Sequence, residues 1–169
     1  MTVNIEDLKV VQDNKSKLRI IATDYSMATR SYDIFFSGCA AKPRCTGCHN
    51  PEAWDFNQGT DWKQHIFKIN KDVMTFGKLI DKFFILGGEP LDQNREEFLL
   101  CMDAFKEFKK PLWLFTRFEL DEIPDEVKEV FDYIKTGPYK PELSTNDNCC
   151  YGVKLATSNQ KIFKKGVDY

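Results

Sequence analysis

Five short apolar runs, over residues 18–22, 32–37, 83–86, 112–115 and 133–135, are rich in aromatic and β-branched residues, are bounded by turn residues and read as strands. Helical patterns separate the later runs. The clearest covers 94–108, where Phe98, Met102, Phe105 and Phe108 recur at helical spacing and Glu96 and Glu97 suit the positive end of the helix dipole. A second is expected over 71–82 and a third from Pro124, a residue favoured in a first turn. Strands and helices in short alternation predict βαβ units and a mostly parallel sheet, with ligands gathered at the carboxyl ends of the strands. "SGC", "GGEPL", "TRF" and "TGPY" follow the second to fifth runs and so share one sheet edge. The polar, turn-rich tail from Ser144 reads as an irregular wrap over that edge.

The chain of 169 residues is read as a single domain over 1–169, large enough to bury a core without disulfides. A formal net charge of −2 gives no global reason to expect nucleic acid or membrane as a partner. The amino terminus lacks the basic and apolar regions of a signal peptide, and no apolar run approaches a membrane span. The expected location is the cytoplasm, where thiols stay reduced. The six cysteines then read as metal ligands, redox groups or buried thiols.

Three of them stand in "FFSGCAAKPRCTGCHNPEAW", a C-x5-C-x2-C pattern running out of an apolar strand. Such spacing lets Cys39, Cys45 and Cys48 converge on one metal centre. A structural zinc site needs a fourth ligand. His49 directly follows Cys48, too close for the usual zinc-finger spacing, whereas the vicinal Cys149 and Cys150 are in principle available. The alternative is a 4Fe-4S cluster with three protein ligands, which leaves one iron open to a small molecule.

"SGC…C-x2-CHNPEAW" together with "GGEPL" resembles the radical S-adenosylmethionine superfamily, and within it the activating protein of anaerobic (class III) ribonucleotide reductase. The likeness runs from about Tyr32 to Lys161 and includes "PLWLFTRFELDEI", "YIKTGPY" and "ATSNQKIF". It implies a small incomplete (β/α) barrel that holds one 4Fe-4S cluster on Cys39, Cys45 and Cys48 and binds S-adenosylmethionine at the carboxyl edge of its sheet. It also implies reductive cleavage of that cofactor to a 5′-deoxyadenosyl radical and transfer of a glycine hydrogen, with no catalytic side chain beyond the cluster ligands. The implied partners are the glycyl radical subunit of the reductase and an electron donor such as flavodoxin or ferredoxin. Two departures stand out: the family's usual spacing is C-x3-C-x2-C, whereas "AAKPR" separates Cys39 from Cys45, and the position before the last cysteine is Gly47 rather than an aromatic residue. The longer loop is tolerable if its extra residues bulge outward.

Around the cluster, Gly87 and Gly88 are expected to let the backbone approach the cofactor, and Glu89 to accept hydrogen bonds from its cationic amino group. Gly47 is assigned to the cofactor side of the cysteine loop. By resemblance Thr116 and Lys135 reach the ribose or carboxylate, against plainer readings as a strand cap and a solvated charge. His49 and Asn50 are read as turn residues, Trp54 and Trp62 as core, and Cys101 as a buried thiol on a helix. Asp121, Glu122, Asp125 and Glu126 read as a solvated helix start. Other functions carried are activation of a different glycyl radical enzyme, small-molecule chemistry similar to 7-carboxy-7-deazaguanine synthase, and a non-catalytic zinc-binding module.

Overall fold

The computed structural model describes residues 17–169. Nine strands are present among them: β1 (Arg19–Ser26), β2 (Ser31–Phe36), β3 (Thr60–Asp61), β4 (Lys82–Gly87), β5 (Leu112–Phe115), β6 (Tyr133–Thr136), β7 (Cys149–Cys150), β8 (Val153–Lys154) and β9 (Lys161–Lys164). Seven of them form one open sheet in the order β3-β1-β2-β4-β5-β6-β9, and β7 pairs with β8 separately. Its centre, β2-β4-β5-β6, is parallel, while β1, β3 and β9 add antiparallel edges. The expected parallel sheet is therefore the middle of a mixed one, and it does not close into a barrel.

Alternation along the strands divides the core into two clusters. Ile34, Phe36, Phe83, Ile85, Leu112, Leu114 and Ile134 pack beneath the helices, whereas Phe84, Trp113 and Tyr133 project to the other face. There they meet Val153 and Leu155 of the β7–β8 region and Ile162 of β9. The tail is thus less irregular than expected: it supplies an edge strand and a hairpin that packs on part of one face.

Helix α1 spans Trp62–Phe76. It begins well before the expected 71–82, because the Asp61 side chain accepts a hydrogen bond from Lys63 N at 2.9 Å and because Trp62, Ile66 and Ile69 form its buried stripe. It stops before β4, which takes Lys82. Helix α2 (Arg95–Lys106) matches the pattern over 94–108 closely; Asn94 caps it by accepting from Glu97 N at 3.0 Å. Helix α3 is one turn only, Asp125–Lys128, since Phe131 turns into the core and Asp132 accepts from Leu112 N on the way into β6. No helix among the described residues is long and apolar enough to cross a membrane.

Candidate functional site

β2 ends at Phe36, and Ser37 and Gly38 lead from it into the cysteine loop. Backbone bonds weave that loop onto the end of β4: Gly38 N donates to Ala53 O at 2.7 Å, Cys39 N to Trp54 O at 3.2 Å, Gly88 N to Phe36 O at 2.9 Å and Glu89 N to Gly38 O at 2.8 Å. A Cβ on Gly87, whose φ is +132°, would collide with the backbone of Phe36, and one on Gly88 with the carbonyls of Gly38 and Ala53. The two glycines therefore admit neighbouring backbone, which binds the cysteine loop to the sheet; both also line the cavity described next.

Cys39, Cys45 and Cys48 line one cavity of about 350 Å³ at the carboxyl ends of β4, β5 and β6, with Glu89, Thr116 and Lys135 in its wall. No other cysteine among the described residues lines it; Cys101 lies fully buried on α2, and Cys149 and Cys150 lie on β7. Lys42, Pro43 and Arg44 are exposed, so the longer spacer does bulge outward. Gly47, at φ +70°, has room for a Cβ beside Tyr139, and it sits next to the cavity without appearing in its wall. Burial, followed by the Cys48 and Cys39 thiols, pushes Cys45 up, opposed by the positive charges of Arg117 and Lys135.

Glu89 is almost wholly buried, and its carboxylate is engaged within the protein. Oε1 accepts from Thr116 Oγ1 at 2.7 Å and Leu91 N at 3.1 Å, and Oε2 accepts from Arg117 N at 2.8 Å. Burial raises its pKa despite these bonds. Thr116 is spent on Glu89 and on accepting from Phe118 N. Arg117 turns to Asp92, with Nη2 to Oδ1 at 2.9 Å, since its Nε stands 3.9 Å from Glu89 and has no hydrogen-bond partner. Asp92 Oδ2 also accepts from Ala40 N at 2.6 Å, which ties the cysteine loop to the same network.

Lys135 is not a solvated charge. It is 9% exposed, on the face opposite the helices, and burial lowers its ammonium from 10.5 to about 8. Its Nζ donates to Gly137 O at 2.8 Å. The "TGPY" turn in turn meets the tail segment, where Asn159 Nδ2 donates to Pro138 O at 2.9 Å, and Lys154, Leu155, Ala156 and Gln160 complete the cavity wall.

Trp62 is core as expected, but Trp54 is not. Its indole lines the cavity, and Nε1 donates to Cys48 Sγ at 3.3 Å. Sequence reasoning missed it because an aromatic residue after a Pro-Glu-Ala turn looks like packing; its position in the cysteine segment was the available signal. His49 packs against Tyr139 at 5.3 Å, and the Asn50 side chain makes no capping bond although Asn50 immediately precedes the Pro51–Trp54 turn; both residues line the cavity.

The chain matches the 4Fe-4S single cluster domain family over residues 29–162, and it belongs to that family. A comparison with curated proteins finds no match. The cavity suits the group. Its three thiols come from one loop, a hydrogen-bond donor is already aimed at one sulfur, and two cationic side chains stand nearby to offset thiolate charge. Among the described residues, no three or more His, Cys, Asp or Glu side chains gather as a single metal ion requires. A cluster, being larger than one ion, takes its thiolates further apart.

Proposed function

We propose that this chain is a radical S-adenosylmethionine activase, with Cys39, Cys45 and Cys48 as the cluster ligands. The observation that carries this reading is that three cysteines, and no fourth, line a cavity with space for a small molecule beside them. Bound there, a 4Fe-4S cluster would be held by Cys39, Cys45 and Cys48 and would supply the electron for reductive cleavage of S-adenosylmethionine.

The residues divide the remaining work. Lys135 has three donor protons and one protein acceptor, so it is free to meet the cofactor's carboxylate in a site where burial strengthens the pairing. Glu89 holds the ends of β4 and β5 together and keeps one lone-pair direction for the cofactor's amino group. The apolar side chains of Leu86 and Phe115 keep water from the reacting carbon.

The substrate we propose is a glycine backbone in anaerobic ribonucleoside-triphosphate reductase, with a flavodoxin or ferredoxin as electron donor and the cytoplasm as the setting. A glycine Cα radical is delocalised over its flanking amides, so the main requirement is to hold that Cα beside the deoxyadenosyl carbon. Reduced protein, S-adenosylmethionine and the reductase should together give a glycine-centred doublet in electron paramagnetic resonance, lost when the reductase glycine is replaced by Ala. Cofactor cleavage without that doublet would transfer the reading to a small-molecule substrate, which the walling of the cavity by Lys154, Leu155 and Ala156 would then favour.

A further inference from the structure

The long spacer between the first two cysteines brings together a set of contacts that the proposed reaction does not itself require. Trp54 Nε1 donates to Cys48 Sγ at 3.3 Å, and the Trp54 carbonyl accepts from Cys39 N at 3.2 Å. The Arg44 guanidinium lies 5.0 Å from the Trp54 ring centroid, and its Nη1 donates to the Cys39 carbonyl. Arg44 belongs to "AAKPR", the segment that is two residues longer than in the family the sequence resembles. The backbone beside the indole is anchored as well: the Pro51–Trp54 turn carries the buried Ala53, whose carbonyl accepts from Gly38 N just past the end of β2. An indole with an anchored backbone and a cation over its ring has little freedom to leave the sulfur.

We propose that Trp54 is a positioning residue that sets the reduction potential of the cluster through its hydrogen bond to Cys48, with Arg44 as the clamp that holds it there. The physical basis is general. Reduction adds electron density to the cluster sulfurs, a donor aimed at one of them stabilises the reduced form, and the potential rises. Arg44 acts in the same direction, because a cation stacked on the ring polarises the N–H and restricts the side chain. The long spacer is then the means by which this chain places a cation over the indole. The proposal rests on Cys39, Cys45 and Cys48 being the cluster ligands, and is independent of the substrate.

The test uses the anaerobically reconstituted full chain and a redox titration followed by electron paramagnetic resonance. Trp54→Phe keeps an aromatic ring for Arg44 and removes the donor. It should retain iron and sulfide and show a more negative midpoint potential. A tenfold loss of reduced cluster at fixed poise corresponds to about 59 mV for a one-electron couple, and a severalfold to tenfold loss is expected. Arg44→Ala should shift the potential the same way by less, and adding it to Trp54→Phe should change little, since Arg44 acts through the indole. An additive double variant would overturn the clamp, and an unchanged midpoint in Trp54→Phe would overturn the hydrogen bond's role.

Wild-type protein keeps the proposal testable should Trp54→Phe lose its cluster. With indole-¹⁵N tryptophan incorporated, pulsed resonance of the reduced cluster should show a coupled nitrogen and an exchangeable proton. Their absence would overturn the bond alone, whereas a Cys48→Ala protein with an intact cluster would overturn the ligand assignment beneath it.

Discussion

On β4, Phe83 and Ile85 point beneath the helices and are fully buried, whereas Phe84 and Leu86 point to the opposite face, where Leu86 is left lining the cavity. The same contrast holds on β5, with Leu112 and Leu114 on one side and Trp113 and Phe115 on the other. Three helices cover the first face, and its rings interlock edge to face, as Phe83 with Phe105 at 5.5 Å and Phe36 with Phe98 at 5.9 Å. The second face is covered by a two-strand hairpin and the edge strand β9. Stacking of Trp113 on Tyr133 at 3.9 Å fills it at one end, while the other end stays open beside the cysteines. Alternate residues of the same strands thus separate stability from chemistry: the side that is fully covered holds the fold, and the side that is incompletely covered has room for a ligand.

The contrast breaks most completely at the cysteines. Cys45→Ala is expected to abolish cluster binding and cofactor cleavage while leaving the far-ultraviolet circular dichroism of the helix-covered face unchanged; a full cluster in this variant would remove the ligand assignment. Phe105→Ala should do the reverse. It costs about 3–5 kcal/mol in denaturant unfolding, as a buried ring is lost from a packed core, with iron content per folded molecule unaltered.

Glu89→Gln tests the boundary between the two faces. An amide oxygen accepts less than a carboxylate and its NH₂ confronts the donors Thr116 and Arg117 N, so unfolding free energy should fall by about 1–3 kcal/mol and S-adenosylmethionine affinity, read by calorimetry, should weaken with the cluster retained. Stability lost with affinity unchanged would make Glu89 purely a tie between strands.

Lys135 sharpens the comparison through pH. In the cluster-free chain the folded ammonium releases its proton near pH 8 and the unfolded one near 10.5. Below that window both states hold the proton, and the buried charge is a cost. Within it the unfolded chain binds more protons, so stability rises with pH. Between pH 7 and 9.5 the wild type should gain about 2 kcal/mol relative to Lys135→Met, and equal slopes for the two proteins would show that the ammonium is well solvated. The smallest effect is expected at Cys149→Ser, which should leave iron, sulfide and stability unchanged because that thiol is exposed on β7, away from the cavity; iron lost in proportion to protein would reveal a second metal site.

Much of the sheet was legible because its signals are local. Runs of aromatic and β-branched residues marked β2, β4, β5 and β6 to within a residue or two, and the stripe of Phe98, Met102 and Phe105 marked α2. Helix α1 was misplaced because its start depends on the Asp61 cap and on the burial of Trp62, neither of which stands out among the charged residues around it. The edge strand β9 was hidden, since "KIFK" becomes a strand only by pairing with β6 nearly thirty residues earlier.

At the site, the cysteine spacing and the glycine pair were visible in the sequence, but their reasons were not. Close Cys spacing on a strand-end loop limits where three sulfurs can go, so the chain alone pointed to the three cysteines sharing one site, and the structure lines one cavity with them. Which side chains surround it was decided by strand register: pairing Phe115 with Lys135 put a lysine on the buried face beside the cavity, and the approach of the cysteine loop to β4 made Gly87 and Gly88 necessary for close backbone packing as well as part of the cavity wall. Glu89 became a tie between strands, and Trp54 a donor to sulfur, through contacts that form only once the loop has folded onto the sheet. Such contacts depend on distances between segments far apart in the chain, and no local pattern of residue types encodes them.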